Sequence, residues 1–260
     1  DERPVRRLSV NTVLKIAASI ILVLGAGYLL QRLWPSTPKW QELAATTHPV
    51  KMQLPDGTQL WLNSGSRLRY PAKFDGAERR VELLTGEVCL DVKQDPVHPF
   101  LIRSGSIQTR VLGTVFNVRA IQQLDLLQVT VREGKVAVTA DDSLRKLSGH
   151  EVILLPDEQL TLNSQLQEWK KEHTDGAAVS SWTNGKLLFN NERLDIIALQ
   201  LEHRYHVKIL FGDHVLPAYR ITAGFSPADP LEEVLQVLSL ANKLKYEIKN
   251  GRVTFSRQSP

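Results

Sequence analysis

Side chains with catalytic potential are few and scattered. Seven histidines occur in 260 residues, and His203 and His206 stand three apart near a predicted helix end. A zinc site of the H-E-x-x-H kind needs more than that, and neither a further imidazole nor a carboxylate supplies the context. The pair reads as surface. Asp141-Asp142 falls at a turn, where aspartate bonds its own backbone. The sequence has no G-x-S-x-G elbow, no phosphate-cradling glycine loop and no G-x-G-x-x-G after a strand. The single cysteine, Cys89, excludes an internal disulfide and lies in an alternating strand pattern, which suits a structural thiol better than a reactive one. Of the tryptophans Trp34, Trp40, Trp61, Trp169 and Trp182, Trp61 reads as core within TQLWLN and Trp182 as the seat of a second domain. No catalytic residue, metal ligand or cofactor is expected. The chain reads as a binder, not an enzyme.

The elements that would carry a binding surface begin with Lys15–Trp34, KIAASIILVLGAGYLLQRLW. Counted from Val13, the apolar run would form a helix of roughly 33 Å at about 1.5 Å per residue, enough to cross a hydrocarbon core of roughly 30 Å. Arg3, Arg6 and Arg7 precede it, Lys15 can snorkel, and Tyr28 and Trp34 fall near its far end. A cleaved signal peptide has a shorter apolar region ending in small residues, and a buried core helix is the other alternative. The anchor, a transmembrane helix over 13–34, fits best, with residues 1–12 a basic cytoplasmic stub. Because the chain begins with Asp1, the rest of a cytoplasmic domain is expected to lie outside it. Six cations against two anions in the first 40 residues account for the whole net charge of +4. That excess reads as membrane topology and not as a nucleic-acid footprint.

Beyond the anchor the texture changes twice. Residues 35–49 are a Pro/Ser/Thr-rich linker, open to proteases between Trp34 and Thr47. Residues 50–163 consist of short β-branched runs separated by Asp56-Gly57, Ser64-Gly65, Asp75-Gly76, Thr85-Gly86, Ser104-Gly105 and Glu133-Gly134, an all-β domain of sandwich or β-helix-like form. A polar linker, 164–182, leads to an α+β module at 183–258. There, Lys186–Phe189 is a strand, Asn190 or Asn191 a helix cap, and Leu194, Ile197, Leu201 and Tyr205 the inner face of that helix. Strands follow at His206–Phe211 and Tyr219–Phe225. Asp229 is expected to cap a second helix that starts at Pro230, carries Glu232 in a capping box and buries Leu231, Val234, Leu235 and Leu238. A hairpin about Asn250-Gly251 closes a βαβ-βαββ order with both helices on one sheet.

These residues resemble the FecR-type anti-sigma factor family, in the longer form found in Bacteroidetes-like bacteria. The matching stretches are Leu54–Pro71 (LPDGTQLWLNSGSRLRYP), Phe74-Asp75-Gly76, Arg80–Asp91 (RVELLTGEVCLD), Pro99-Phe100, Val111–Ala120 (VLGTVFNVRA) and Val131–Val138 (VREGKVAV). Within them the mainly structural positions are Leu54, Pro55, Asp56, Gly57, Trp61, Leu62, Asn63, Gly65, Ser66, Gly86, Glu87, Leu112, Gly113, Thr114, Phe116, Asn117, Val118, Glu133 and Gly134. Cys89 departs from the family, where an aromatic is commoner. The module is similar to that family's secretin/TonB short-N-terminal-like domain through Leu188-Phe189, Leu194, Leu201-Glu202, Tyr205–Ile209 and Leu231–Leu235.

The resemblance implies an inner-membrane, single-pass regulator whose bulk is periplasmic. It would receive a signal from the signalling domain of a TonB-dependent outer-membrane transporter for iron complexes or glycans. It would control an extracytoplasmic-function sigma factor through a cytoplasmic part. A partner strand could add to the module through Leu187, Phe189, Tyr219, Ile221, Ala223 and Phe225, unless Ile221, Ala223 and Phe225 face the core. A tethered module for envelope polysaccharide and a component of a secretion assembly are the readings from other classes.

Overall fold

The computed structural model describes residues 10–33 and 39–258. Arg3, Arg6 and Arg7, Trp34, and residues 35–38 of the linker lie outside that range. The chain divides into two units at Lys39. The first holds one helix, α1 (Val10–Leu33), in which Ile20, Ile21, Leu22, Val23, Leu24 and Tyr28 are all exposed. Among the described residues, no helix is long and apolar enough to cross a membrane.

The second unit opens with β1 (Trp40–Ala45), β2 (Val50–Gln53), β3 (Gln59–Leu62), β4 (Ser66–Pro71) and β5 (Arg79–Asp91). It continues through β6 (Phe100–Ser104), β7 (Ile107–Val111), β8 (Val115–Ile121), β9 (Leu126–Glu133) and β10 (Val136–Ala140). The β domain closes with β11 (Glu151–Leu154), β12 (Glu158–Asn163) and β13 (Glu168–His173). Two layers share one strand. The first half of β5 sits in a sheet ordered β1-β4-β5-β6-β7-β10-β11, and its second half in a sheet ordered β2-β3-β5-β8-β9-β12-β13. A sandwich results, its core filled by Leu60, Leu62, Leu68, Phe100, Ile102, Phe116, Leu154 and Leu160, all at most 1% exposed.

Thr85-Gly86 is therefore no turn, contrary to the spacing of the glycines. RVELL and EVCLD form one 13-residue strand that changes layer at Gly86. Its φ is +90°, and a Cβ there would stand 2.5 Å from the Ser66 Cβ and 2.6 Å from its Cα, so only glycine allows this crossing.

Both linkers are corrected too. Trp40–Ala45 pairs with β4, and Glu168–His173 pairs with β12. Each is a mostly exposed edge strand, so it lacks the alternation that marks half-buried strands.

The remaining elements are α2 (Gly176–Val179), β14 (Leu187–Arg193), α3 (Leu194–Tyr205), β15 (Lys208–Phe211), β16 (Arg220–Phe225), α4 (Leu231–Asn242), β17 (Leu244–Lys249) and β18 (Arg252–Arg257). The expected βαβ-βαββ order holds, but the strands form two small sheets, β14-β16 and β15-β18-β17, and not one. Leu194, Ile197, Leu201, Val234, Leu235 and Leu238 are buried, as the helical periodicity predicts. The caps differ. Arg193 and Pro230 precede the helices without side-chain capping bonds, and the Asp229 carboxylate accepts from the Ser226 N–H instead. His206 ends α3 in the left-handed region, so β15 starts two residues later than expected.

Candidate functional site

The motif residues divide into turns and a junction. In the LPDG turn, Leu54 is buried, and the Asp56 carboxylate accepts from the Thr58 N–H (3.0 Å), the Thr58 hydroxyl (2.7 Å) and Arg79 Nη1 (2.8 Å). Pro55 and Gly57 complete it. Leu112 and Gly113 form the turn before β8, and Glu133 and Gly134 the turn before β10. These turns meet through Thr114, whose hydroxyl donates to the Lys135 carbonyl at 3.0 Å. Leu62, Phe116 and Val118 fill the core and Ser66 is buried. Trp61 differs from expectation. It alternates with buried Leu60 and Leu62, so it lies on the outer face with the Lys51 ammonium 4.7 Å from its ring centre.

That outer face of the β13-side sheet is where the two domains meet. Register places Glu87, Arg119, Gln128, Thr161 and Lys170 in one row across five strands, and Cys89, Asn117, Thr130, Gln159 and Glu172 in the next. Outward residues of a two-layer sheet normally meet water, yet Glu87, Cys89, Asn117, Arg119 and Thr130 are all buried. The cover is Trp182 and the start of the module.

At its centre stands the Arg119 guanidinium. Its Nη2 donates to Glu87 Oε1 at 2.9 Å, and its Nη1 to Glu192 Oε2 at 3.0 Å and to Gln128 Oε1 at 3.3 Å. Glu87 also accepts from Asn63 Nδ2 and Asn117 Nδ2, each at 2.9 Å. Trp182 Nε1 donates to Asn117 Oδ1 at 3.3 Å, so the indole closes the network from the module side. Burial works against the charge on Arg119, but the Glu87 and Glu192 carboxylates outweigh it and hold the guanidinium more firmly protonated than usual. Burial, reinforced by Glu87, pushes the Cys89 thiol up to about 12, which makes it inert at neutral pH.

Glu192 reaches Arg119 because β14 is bulged. The β14-β16 register shifts between Phe189 and Glu192, with Asn191 at φ +50°. The Thr222 hydroxyl accepts from the Asn191 N–H at 2.9 Å, and Arg220 Nη1 donates to the Asn191 carbonyl at 2.8 Å, so β16 holds the bulge. Bulges commonly re-aim a side chain in this way. Beside the ion cluster, Ile121 and Leu126 pack on Ile196, with Leu124 and Leu199 around them.

The junction leaves two openings. A cleft of about 350 Å³ runs between the open ends of the polar rows (Gln159, Thr161, Lys170) and Asn190, Arg193 and Arg220. On the other side, a Cβ on Gly65 would come within 2.7 Å of the His203 ring, so α3 is wedged against the turn before β4. Burial holds the His203 imidazole below its ordinary value. His206, the other member of that pair, lies with its ring 6.1 Å from that of His48.

The six residues expected at a partner surface are brought together, but inward. Leu187, Phe189, Ile221 and Phe225 are buried, and Tyr219 and Ala223 pack against the same core. Among the described residues, β14 and β16 pair only with each other, so what they offer a partner is backbone edge and outward groups such as Leu188, not those six side chains. Trp182 was expected to seat the second domain and does so, whereas Arg119 and Glu192 were not singled out in the sequence. The available signal was an outward row of unusually uncharged residues, Cys89, Asn117 and Thr130.

A two-layer β domain joined to a βαβ-βαββ module through buried ions defines a two-domain protein of recognisable type. The model of the family described as FecR protein matches residues 43–137, and that described as FecR, C-terminal matches residues 186–255. Two crystal structures of a protein from Parabacteroides distasonis proposed to be an anti-sigma factor, at 1.65 and 2.50 Å, are each 30% identical with a TM-score of 0.76. They cover 84% and 85% of this chain, which spans the whole of both. No protein of curated description matches. The chain belongs to the FecR-type anti-sigma factor family.

Proposed function

We propose that the protein is a membrane-anchored periplasmic regulator that relays a signal from a TonB-dependent outer-membrane transporter to an extracytoplasmic-function sigma factor. Family membership supports the anti-sigma role. The exposed apolar side chains of α1, with the basic residues before it in sequence, support a single-pass anchor with the N-terminus cytoplasmic. The absence of a convergent acid, base or nucleophile set in the sequence supports a binding and not an enzymatic role.

The observation that carries the relay is the junction. Both domains contribute to one buried ion cluster, so a load applied to the module reaches the β domain. From His203 on Gly65 it passes to β1, because the Gly65 N–H donates to the Thr46 carbonyl at 3.2 Å, one residue beyond that strand. Among the described residues β1 is an edge strand that pairs with β4 alone, and in sequence it follows the anchor. Its release would expose Trp40–Thr47 to proteolysis, which its pairing otherwise prevents.

A reporter read by the cognate sigma factor tests the proposal in cells with and without the gene. The expected result is transcription that no longer follows the inducing ligand when the protein is missing. Unchanged, ligand-responsive transcription in its absence refutes the regulatory role. Recovery of the chain in the alkaline-washed membrane pellet, with its bulk digested by protease added to spheroplasts, tests the anchor.

A further inference from the structure

The sheet β15-β18-β17 carries a charge pattern that folding alone disfavours. Asn250 and Gly251 both have positive φ, 52° and 70°, the conformation of a tight type I′ hairpin. That turn sets Lys249 directly opposite Arg252, and the parallel pairing of β15 sets Lys208 on the other side of Arg252. Adjacent strands lie about 5 Å apart, so three cations stand in one row. Like charges directly opposite one another in a sheet are destabilising. Lys208 is relieved by Glu202 at 3.0 Å, whereas among the described residues Lys249 and Arg252 have no ion-pair partner. The opposite face has no room for them, since Ile209, Val253 and Phe255 there belong to the module core.

The next row is Leu210, Thr254 and Glu247. Leu210, Thr254 and Glu247 with Lys249, Asn250 and Arg252 line an open groove of about 410 Å³ in which Leu210 is 41% exposed. A cationic row beside an exposed leucine and a single carboxylate is a mixed, registered pattern. We propose that this face docks an acidic protein segment. Its carboxylates lie over Lys249 and Arg252, an apolar side chain covers Leu210, and a basic or hydroxyl group meets Glu247. Charge complementarity fixes the partner's sign, and Glu247 disfavours a uniformly anionic lipid surface in the same groove. The inference is independent of the transporter reading, because it defines the partner by its chemistry alone.

The test uses the full chain in neutral detergent micelles. Calorimetry compares a synthetic decapeptide alternating Glu and Val with its Lys-Val counterpart, with inorganic phosphate, and with micelles doped with phosphatidylglycerol. The Glu-Val peptide should bind, and the double variant Lys249→Glu, Arg252→Glu should weaken it by roughly tenfold or more. Lys249→Glu alone should also weaken binding of the Glu-Val peptide while raising the melting temperature of the free protein, because it puts opposite charges face to face. That rise separates a lost docking surface from a damaged fold. Absence of Glu-Val binding, binding indifferent to the double variant, or equal response to phosphate or the doped micelles overturns the proposal.

Discussion

Replacing Arg119 with methionine should be the most damaging single truncation at the junction. Methionine keeps most of the aliphatic stem but removes every donor. Two carboxylates are then left around an apolar side chain, with Glu87 6% exposed and Glu192 18% exposed. Breaking a buried ion pair from one side costs about 3–5 kcal/mol. Glu87 keeps its bonds from Asn63 and Asn117, so the loss should fall near the lower end, about 3 kcal/mol. Glu192→Gln leaves Arg119 paired with Glu87 and should cost about 1–2 kcal/mol. Adding Glu87→Gln to Arg119→Met removes the more deeply buried of the two carboxylate charges and should recover about 1–2 kcal/mol, a coupling of the size expected for groups in contact. Urea unfolding followed by tryptophan fluorescence measures this, since Trp182 is seated in the network. The wild type should unfold in one transition, and Arg119→Met in two, the module parting first. A single transition within about 1 kcal/mol of wild type would refute the claim that this charge couples the domains.

Three further outcomes follow from the same geometry. His203 has a lowered pKa through burial, modified by Glu202, Lys208, Glu87 and His206. The unfolded chain therefore takes up its proton first, and stability is lost as pH falls below about 6.5. The melting temperature of His203→Gln should fall less between pH 7.5 and pH 5.5 than that of wild type, and parallel curves would contradict this. Gly86→Ala should prevent the β domain from folding, because the new Cβ strikes Ser66. Gly105→Ala, also at positive φ but in open space, should cost only about 1–2 kcal/mol by thermal melting. Cys89 should resist a neutral thiol reagent in the native protein and react fully in urea, and fast native labelling would contradict its burial.

What could be read in the sequence was whatever a local period or a turn residue encodes. Helices α3 and α4 and the Asn250-Gly251 hairpin were legible because 3.6-residue apolar spacing and an Asn-Gly pair each have one inexpensive conformation. Strands β1 and β13 were not, because an edge strand wet on both faces leaves no alternation to read. Gly86 was visible as a glycine, but one that lets a strand change layer looks like one that ends it. The junction was hardest. Alternation tells which side of a sheet faces out, and Arg119 does face out, but periodicity does not tell what lies beyond. Glu192 depends on a bulge at Asn191 that only the pairing with β16 creates. For the same reason the inward direction of Ile221, Ala223 and Phe225 was left open between two alternatives, and that of Leu187, Phe189 and Tyr219 was not foreseen.

The signal is proposed to cross from the module to the anchor-proximal strand through the contact of His203 on Gly65. A sigma-dependent reporter in cells carrying His203→Ala at normal protein level tests this most directly. The reporter should no longer respond to the inducing ligand, because the module can then be loaded without loading β1. Full induction with the His203–Gly65 contact removed would contradict the relay.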